Sequence, residues 1–176
     1  MTNERAIPSP AEYAGGITAF EKLTECFYKK VKADEILAPV FAQMGDDHPQ
    51  HVAAFLAQSF GAGPTYSKDG SENEALREMI GHHLSRHLTE QQRRRWVELL
   101  YDSADEVGLP NDPEFRSAFA AQIEWGTRIA VMNSQLDENP IGPEDHIPRF
   151  GWGSVKGPWE SVGSVCNFPV EEDFIP

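Results

Sequence analysis

Apolar residues recur every three or four positions from residue 17 to about residue 133, and no stretch alternates with a period of two. A chain patterned this way can bury its apolar side chains only as amphipathic helices, so the expected fold class is all-α. "ITAFEKLTECFYKKVKAD" places Ile17, Phe20, Leu23, Phe27 and Val31 on one stripe, with Gly15 and Gly16 turning the chain just before it. "EILAPVFAQM" can hold a turn or two of helix before Pro39 bends it, which leaves Phe41 beyond the bend. "DDHPQHVAAFLAQSFGAGP" reads as a helix with Pro49 in its first turn and Gly61, Gly63 and Pro64 at its end. Val52, Phe55, Leu56 and Ser59 share its inner face, His48 lies one turn before Val52, and His51 lies nearer the edge.

After "SKDGSENE", read as a polar loop, a short helix is expected over "ALREMIGHH". The next opens with Thr89 as N-cap and Gln92 as its capping-box partner, stops at Gly108, and carries Trp96, Leu99, Leu100 and Ala104 inward. A last long helix starts at Asp112 and Pro113 and carries Phe115, Phe119, Ile123 and Ile129. Beyond Asn133 prolines and glycines recur too often for helix, and Phe150, Trp152 and Trp159 are expected to dock that tail on the helices.

With 176 residues, 40% of them apolar, the chain can bury one core. Fifteen basic against 28 acidic residues give a net charge of −13, which argues against nucleic acid or an anionic membrane as partner. The basic run Arg93, Arg94, Arg95 reads as the solvated face of a helix. Cys26 and Cys166 show no metal-ligand spacing and read as free thiols. No segment approaches the ~18 apolar residues of a membrane span, and a soluble cytoplasmic protein is expected.

Three of the six histidines, His82, His83 and His87, fall within "GHHLSRHLTEQQRRRW". Histidine is the commonest metal ligand, so their directions matter. With Leu76 at zero and ~100° per residue, Met79, Ile80 and His83 fall within about 60° of it, whereas His82 points about 120° away. Leu88 and Thr89 begin the next helix, so His87 is not expected to continue that face. His83 could be a core histidine bonded to a carbonyl, part of a solvated cluster, half of a zinc pair with His87, or a haem ligand. Zinc has little to recommend it, since no acidic or cysteine ligand stands at a matching position and no HExxH pattern appears. The residues alone leave the other readings open.

Several segments, in the same order, resemble the group II truncated haemoglobins of the bacterial kind with a C-terminal extension. They are "GG" before the first strong helix, "FY" at Phe27 and Tyr28, "LAPVF" ending at Phe41, "FLAQSFGAGPTYS" from Phe55, and "HLSRHLTEQQRRRW" from His83 to Trp96, followed by the closing "EWGTRIAVMNSQ". The likeness covers about residues 11–135. It implies a truncated globin fold, a two-on-two helical sandwich, with an N-terminal arm at 1–10, a globin domain at 11–135 and an irregular tail at 136–176. The family's "GGP" reads "GAGP" here, and the loop between Tyr66 and His83 is longer than in compact members.

The resemblance implies haem b as cofactor, with His83 as the proximal iron ligand because it matches the histidine thirteen residues before Trp96. It implies Tyr28 and Trp96 as hydrogen-bonding groups of the distal pocket and Phe41 as the aromatic residue on the haem face. His48 matches the ligand-facing position of the distal helix, Val52 the next inward turn, and Phe55 lies behind. His51 and Tyr66 match places near the haem propionates, and His87 at most touches the haem edge. The implied function is binding of dioxygen, nitric oxide or another diatomic ligand. The alternative is a redox enzyme, a nitric oxide dioxygenase or peroxidase, served by an unidentified reductase, since the chain carries no flavin or nicotinamide motif. A haem-free helical scaffold is the reading from a different class, and a monomer or homodimer is expected.

Overall fold

A computed structural model of the chain describes residues 6–68, 70–154 and 156–159. These residues form six α-helices and, among them, no strand: α1 (Pro10–Ala14), α2 (Ile17–Ala33), α3 (His48–Ser59), α4 (Glu72–Gly81), α5 (Glu90–Glu106) and α6 (Pro113–Asn133). The α2 helix packs on α3 and α5, and α5 packs on α6, so two helix pairs lie against each other. None of the described helices is long and apolar enough to cross a membrane.

The cores follow the stripes in the sequence. Phe20, Phe27, Phe60, Phe115 and Phe119 are fully buried, and Phe20 and Phe119 stack on Phe60 with ring centres 5.6 and 6.1 Å away. Each such ring contributes roughly 1.5–3 kcal/mol by leaving water. A smaller cluster gathers Leu76 and Ile80 of α4 with Ile147, flanked by Phe55, Tyr66, Met79, Leu84, Ile129 and Ile141.

Three features differ from the sequence reading. The α1 helix has too few residues for a periodic stripe, but Ser9 and Glu12 form a capping box around it, with Glu12 N–H bonded to Ser9 Oγ at 3.2 Å. The α4 helix begins at Glu72, inside the expected polar loop, because Ser71 caps it by accepting from Glu74 N–H. The arginine run is not simply a solvated face. The Arg93 side chain is only 8% exposed and pairs with Glu90 and Glu124, and Arg95 bonds Asp34 Oδ2 at 2.6 Å. Asp34 also caps the turns that follow α2, its Oδ1 accepting from Ile36 and Leu37 N–H at 3.0 Å, so the arginine ties that bend to α5.

Thr89 and Gln92 form the expected capping box, and Asp112 Oδ1 accepts from Glu114 and Phe115 N–H at the start of α6. After α6 the described residues contain no further α-helix and run back over the helices. Phe150 N–H bonds Ser59 O at 2.7 Å, Trp152 Nε1 donates to Pro8 O at 2.7 Å, and Trp159 N–H donates to Asp112 Oδ2 at 2.7 Å. Cys26 is a free thiol, and Cys166 lies outside the described residues.

Candidate functional site

Tyr28 sits on the buried stripe of α2, 3% exposed, and its hydroxyl lies 2.9 Å from Nε2 of His48, the first residue of α3. The phenol is enclosed by aromatic rings, with Phe27, Phe41 and His48 centred 4.8, 5.6 and 5.1 Å from it. Trp96 of α5 meets Phe27 edge to face at 4.9 Å and is half-buried. Burial drives the Tyr28 pKa far above its usual value, so the hydroxyl stays protonated.

His48 is pushed down to about 4, mainly by burial and further by the positive charges of His51, His83 and His82, against a smaller opposite effect of Asp47. It is therefore neutral near pH 7. The unfolded chain binds a proton there up to pH ~6.5, so folding stability rises with pH between about 4 and 6.5 and then levels. His83, also lowered by burial, acts in the same direction. Denaturation midpoints of the haem-free chain are expected to climb less steeply across that window in His48→Gln than in the parent. Equal slopes would mean that His48 is not buried as a neutral ring.

His83 lies just past the end of α4 rather than on it. The helix stops at Gly81, His82 is its exposed C-cap, and the His83 N–H bonds Ile80 O at 2.9 Å. The ring turns back on the last helical turn, where Nδ1 donates to Met79 O at 2.9 Å. A neutral imidazole with its proton on Nδ1 leaves Nε2 as a lone-pair donor, and Nε2 makes no hydrogen bond among the described residues.

Several apolar side chains of these elements are only half-buried: Phe41, Val52 and Trp96, which pack on the main core, and Phe55 and Leu84, which pack on the smaller cluster. Phe55 meets Tyr66 edge to face at 5.5 Å. His51 is exposed, with Nε2 3.6 Å from Asp47 Oδ2. His87 is exposed too, its Nδ1 3.5 Å from Gln135 Oε1. The structure thus groups Tyr28, Phe41, His48 and Trp96 closely, puts Phe55 and Tyr66 with the α4 cluster, and leaves His51 and His87 at the surface.

Sequence reasoning missed Gln58. Fully buried on α3, its Oε1 accepts from the N–H groups of Tyr66 and Ser67 at 2.8 and 2.9 Å, fixing the loop that presents Tyr66. Only a lone polar residue on an apolar face marked it, and its partners are remote in the α3–α4 loop. Among the described residues no three His, Cys, Asp or Glu side chains gather to hold a metal ion. The site offers instead one imidazole nitrogen, an apolar surface and a buried hydroxyl–imidazole pair, which suits a flat apolar cofactor whose metal takes one protein ligand.

The sequence model of the bacterial-like globins matches residues 11–123. The group 2 truncated hemoglobin YjbI of Bacillus subtilis is 24% identical over 123 residues, 70% of this chain and 89% of the relative. The crystal structure of the hemoglobin from Chloroflexus aurantiacus superposes with a TM-score of 0.60 at 25% identity, covering 70% of this chain and 97% of that one. The group II truncated hemoglobin from Bacillus anthracis, at 20% identity, shares the fold with a TM-score of 0.62, over 72% of this chain and 93% of that one. With the family's sequence pattern running through most of the helical region and the same two-on-two fold around it, the chain belongs to the bacterial-like globin family.

Proposed function

We propose that the chain is a haem protein that binds dioxygen and other small diatomic ligands, with haem b held non-covalently. One observation carries the reading: His83 is a half-buried neutral imidazole, oriented through Nδ1 by the Met79 carbonyl, with Nε2 left to donate. Such a carbonyl bond fixes a ligating ring's tautomer and direction and raises its basicity. The half-buried Phe41, Val52, Phe55, Leu84 and Trp96 fit the apolar faces of a porphyrin. Relatives named as hemoglobins support the same cofactor.

Haem, when bound, supplies an iron centre that takes small diatomic ligands. His83 Nε2 would hold that centre. Tyr28 offers its hydroxyl to a ligand in the pocket, and His48 Nε2 steadies the hydroxyl. Trp96 adds an indole N–H donor and, with Phe41, excludes water. His51 and Tyr66 are assigned to the carboxylate edge of the cofactor, with His87 at most touching that edge. Residues 11–135 make the globin domain in this reading, and 136–176 are appended to it.

Titration of the purified chain with haemin should give a Soret band that saturates at one haem per chain, and the reduced form should take up and release dioxygen reversibly. No saturable uptake would overturn the proposal. Steady turnover with a supplied reductant and nitric oxide or peroxide would move the reading to the redox enzyme.

A further inference from the structure

Among the described residues no other helix runs close alongside α4, the helix that leads into His83. Its apolar face clusters with Phe55 of α3, Ile129 of α6 and the segment after α6. Leu76 and Ile80 are 4% and 1% exposed, and Ile147, fully buried, belongs to the same cluster. The packing is not closed, since a cavity of about 220 Å³ remains, bounded by Leu76 and Ile80 of α4, Trp125 and Ile129 of α6, and Pro140 and Ile141. Polar bonds add to this apolar contact.

These bonds come from one continuous stretch. Asn73 Nδ2 donates to Gly142 O and Asp145 O at 2.6 and 2.7 Å, Asn139 Nδ2 donates to Arg77 O at 2.7 Å, and Arg77 and Arg149 bond Ile141 O and Glu72. The link after His83 is held the same way. Ser85 N–H bonds Leu136 O, His87 N–H bonds Ser134 O, and Leu88 N–H bonds Ser134 Oγ, each at 2.9 Å. Ser85 and His87 sit at φ +55° and +50°, a left-handed conformation that non-glycine residues adopt only where the surroundings hold them in it. His83 lies between the two tethered segments, and its ring is fixed to α4 through Met79 O.

We propose that residues 134–149 form a clasp that sets the position of His83, with Asn73, Asn139 and Ile147 as positioning residues for the axial ligand. The proposal rests on the reading of His83 as the iron's ligand. The clasp restrains α4, and α4 restrains the imidazole. A loosened clasp would let the ring sample several positions while the α2–α3 and α5–α6 pairs stayed intact.

The test uses the full chain, with and without haem, as the Asn73→Ala/Asn139→Ala variant and, separately, Ile147→Ala. In the haem-free chain, amide exchange over residues 72–83 should rise at least about tenfold in either variant while residues 17–33 are unchanged, since hydrogen bonds local to α4 are lost in the first and apolar contact with α4 in the second. In the haem-loaded ferrous chain the iron–histidine stretching band should shift or broaden, and transfer of haem to an acceptor protein should be several-fold faster. Exchange over 72–83 that does not change, or that rises equally in every helix, would overturn the clasp. Selective loosening with an unmoved stretching band would overturn the positioning role. If the parent chain takes up no haem, the reading of His83 fails and the positioning role with it, whereas selective loosening would still identify the clasp.

Discussion

His83→Ala is expected to lose the saturable Soret band, while His82→Ala and His87→Ala keep it. The reason lies in what each ring can offer. Of the three, only His83 is half-buried, with Nδ1 donating to Met79 O and Nε2 making no hydrogen bond among the described residues. His82 is an exposed cap, and His87 is exposed in a left-handed turn whose N–H is tied to Ser134 O. Alanine at 83 removes the only assigned metal–protein bond, leaving apolar contact to retain the cofactor. Added imidazole should restore the band by entering the space left behind, which would show that the variant still folds. A band that survived His83→Ala and vanished in His87→Ala would reverse the assignment.

That assignment was partly legible in the residues. Leu76, Met79, Ile80 and His83 share one helical direction, and this alone separated His83 from His82. The helix start at Leu88 and Thr89, together with the family likeness, separated it from His87. Its actual place, directly after the C-cap of the helix with the ring folded back on Met79 O, was not legible, because periodicity does not say where a helix stops. Thr89 and Gln92, Asp112 and Pro113 were read correctly because caps act over three residues. Gln58 and the tail contacts were not, because their partners lie far along the chain: Asn73 meets Gly142 and Asp145, and Trp152 meets Pro8. Tyr28 and His48 are twenty residues apart, and the bond between them follows from the packing of α3 on α2.

Tyr28→Phe is the second large expected effect: dioxygen release from the ferrous haem-loaded chain should speed about tenfold to a hundredfold. Dioxygen held in such a pocket takes on partial negative charge, and a hydrogen bond to a charged acceptor is worth roughly 1.5–3 kcal/mol, which converts to that range. Trp96→Phe should act in the same direction through the lost indole N–H. His48 decides how well Tyr28 can donate. If the neutral ring carries its proton on Nε2, it donates to the Tyr28 oxygen, leaves the phenolic proton for the ligand, and polarises it. His48→Leu would then also speed release, and the double variant with Tyr28→Phe would show less than the sum of the two effects. If the proton sits on Nδ1, Tyr28 donates to His48 instead, and His48→Leu would slow release by freeing the hydroxyl. The sign of the His48→Leu effect therefore reads the tautomer of a single ring. Release unchanged in both Tyr28→Phe and Trp96→Phe would mean that neither group faces the ligand, and the pocket assignment would have to be abandoned.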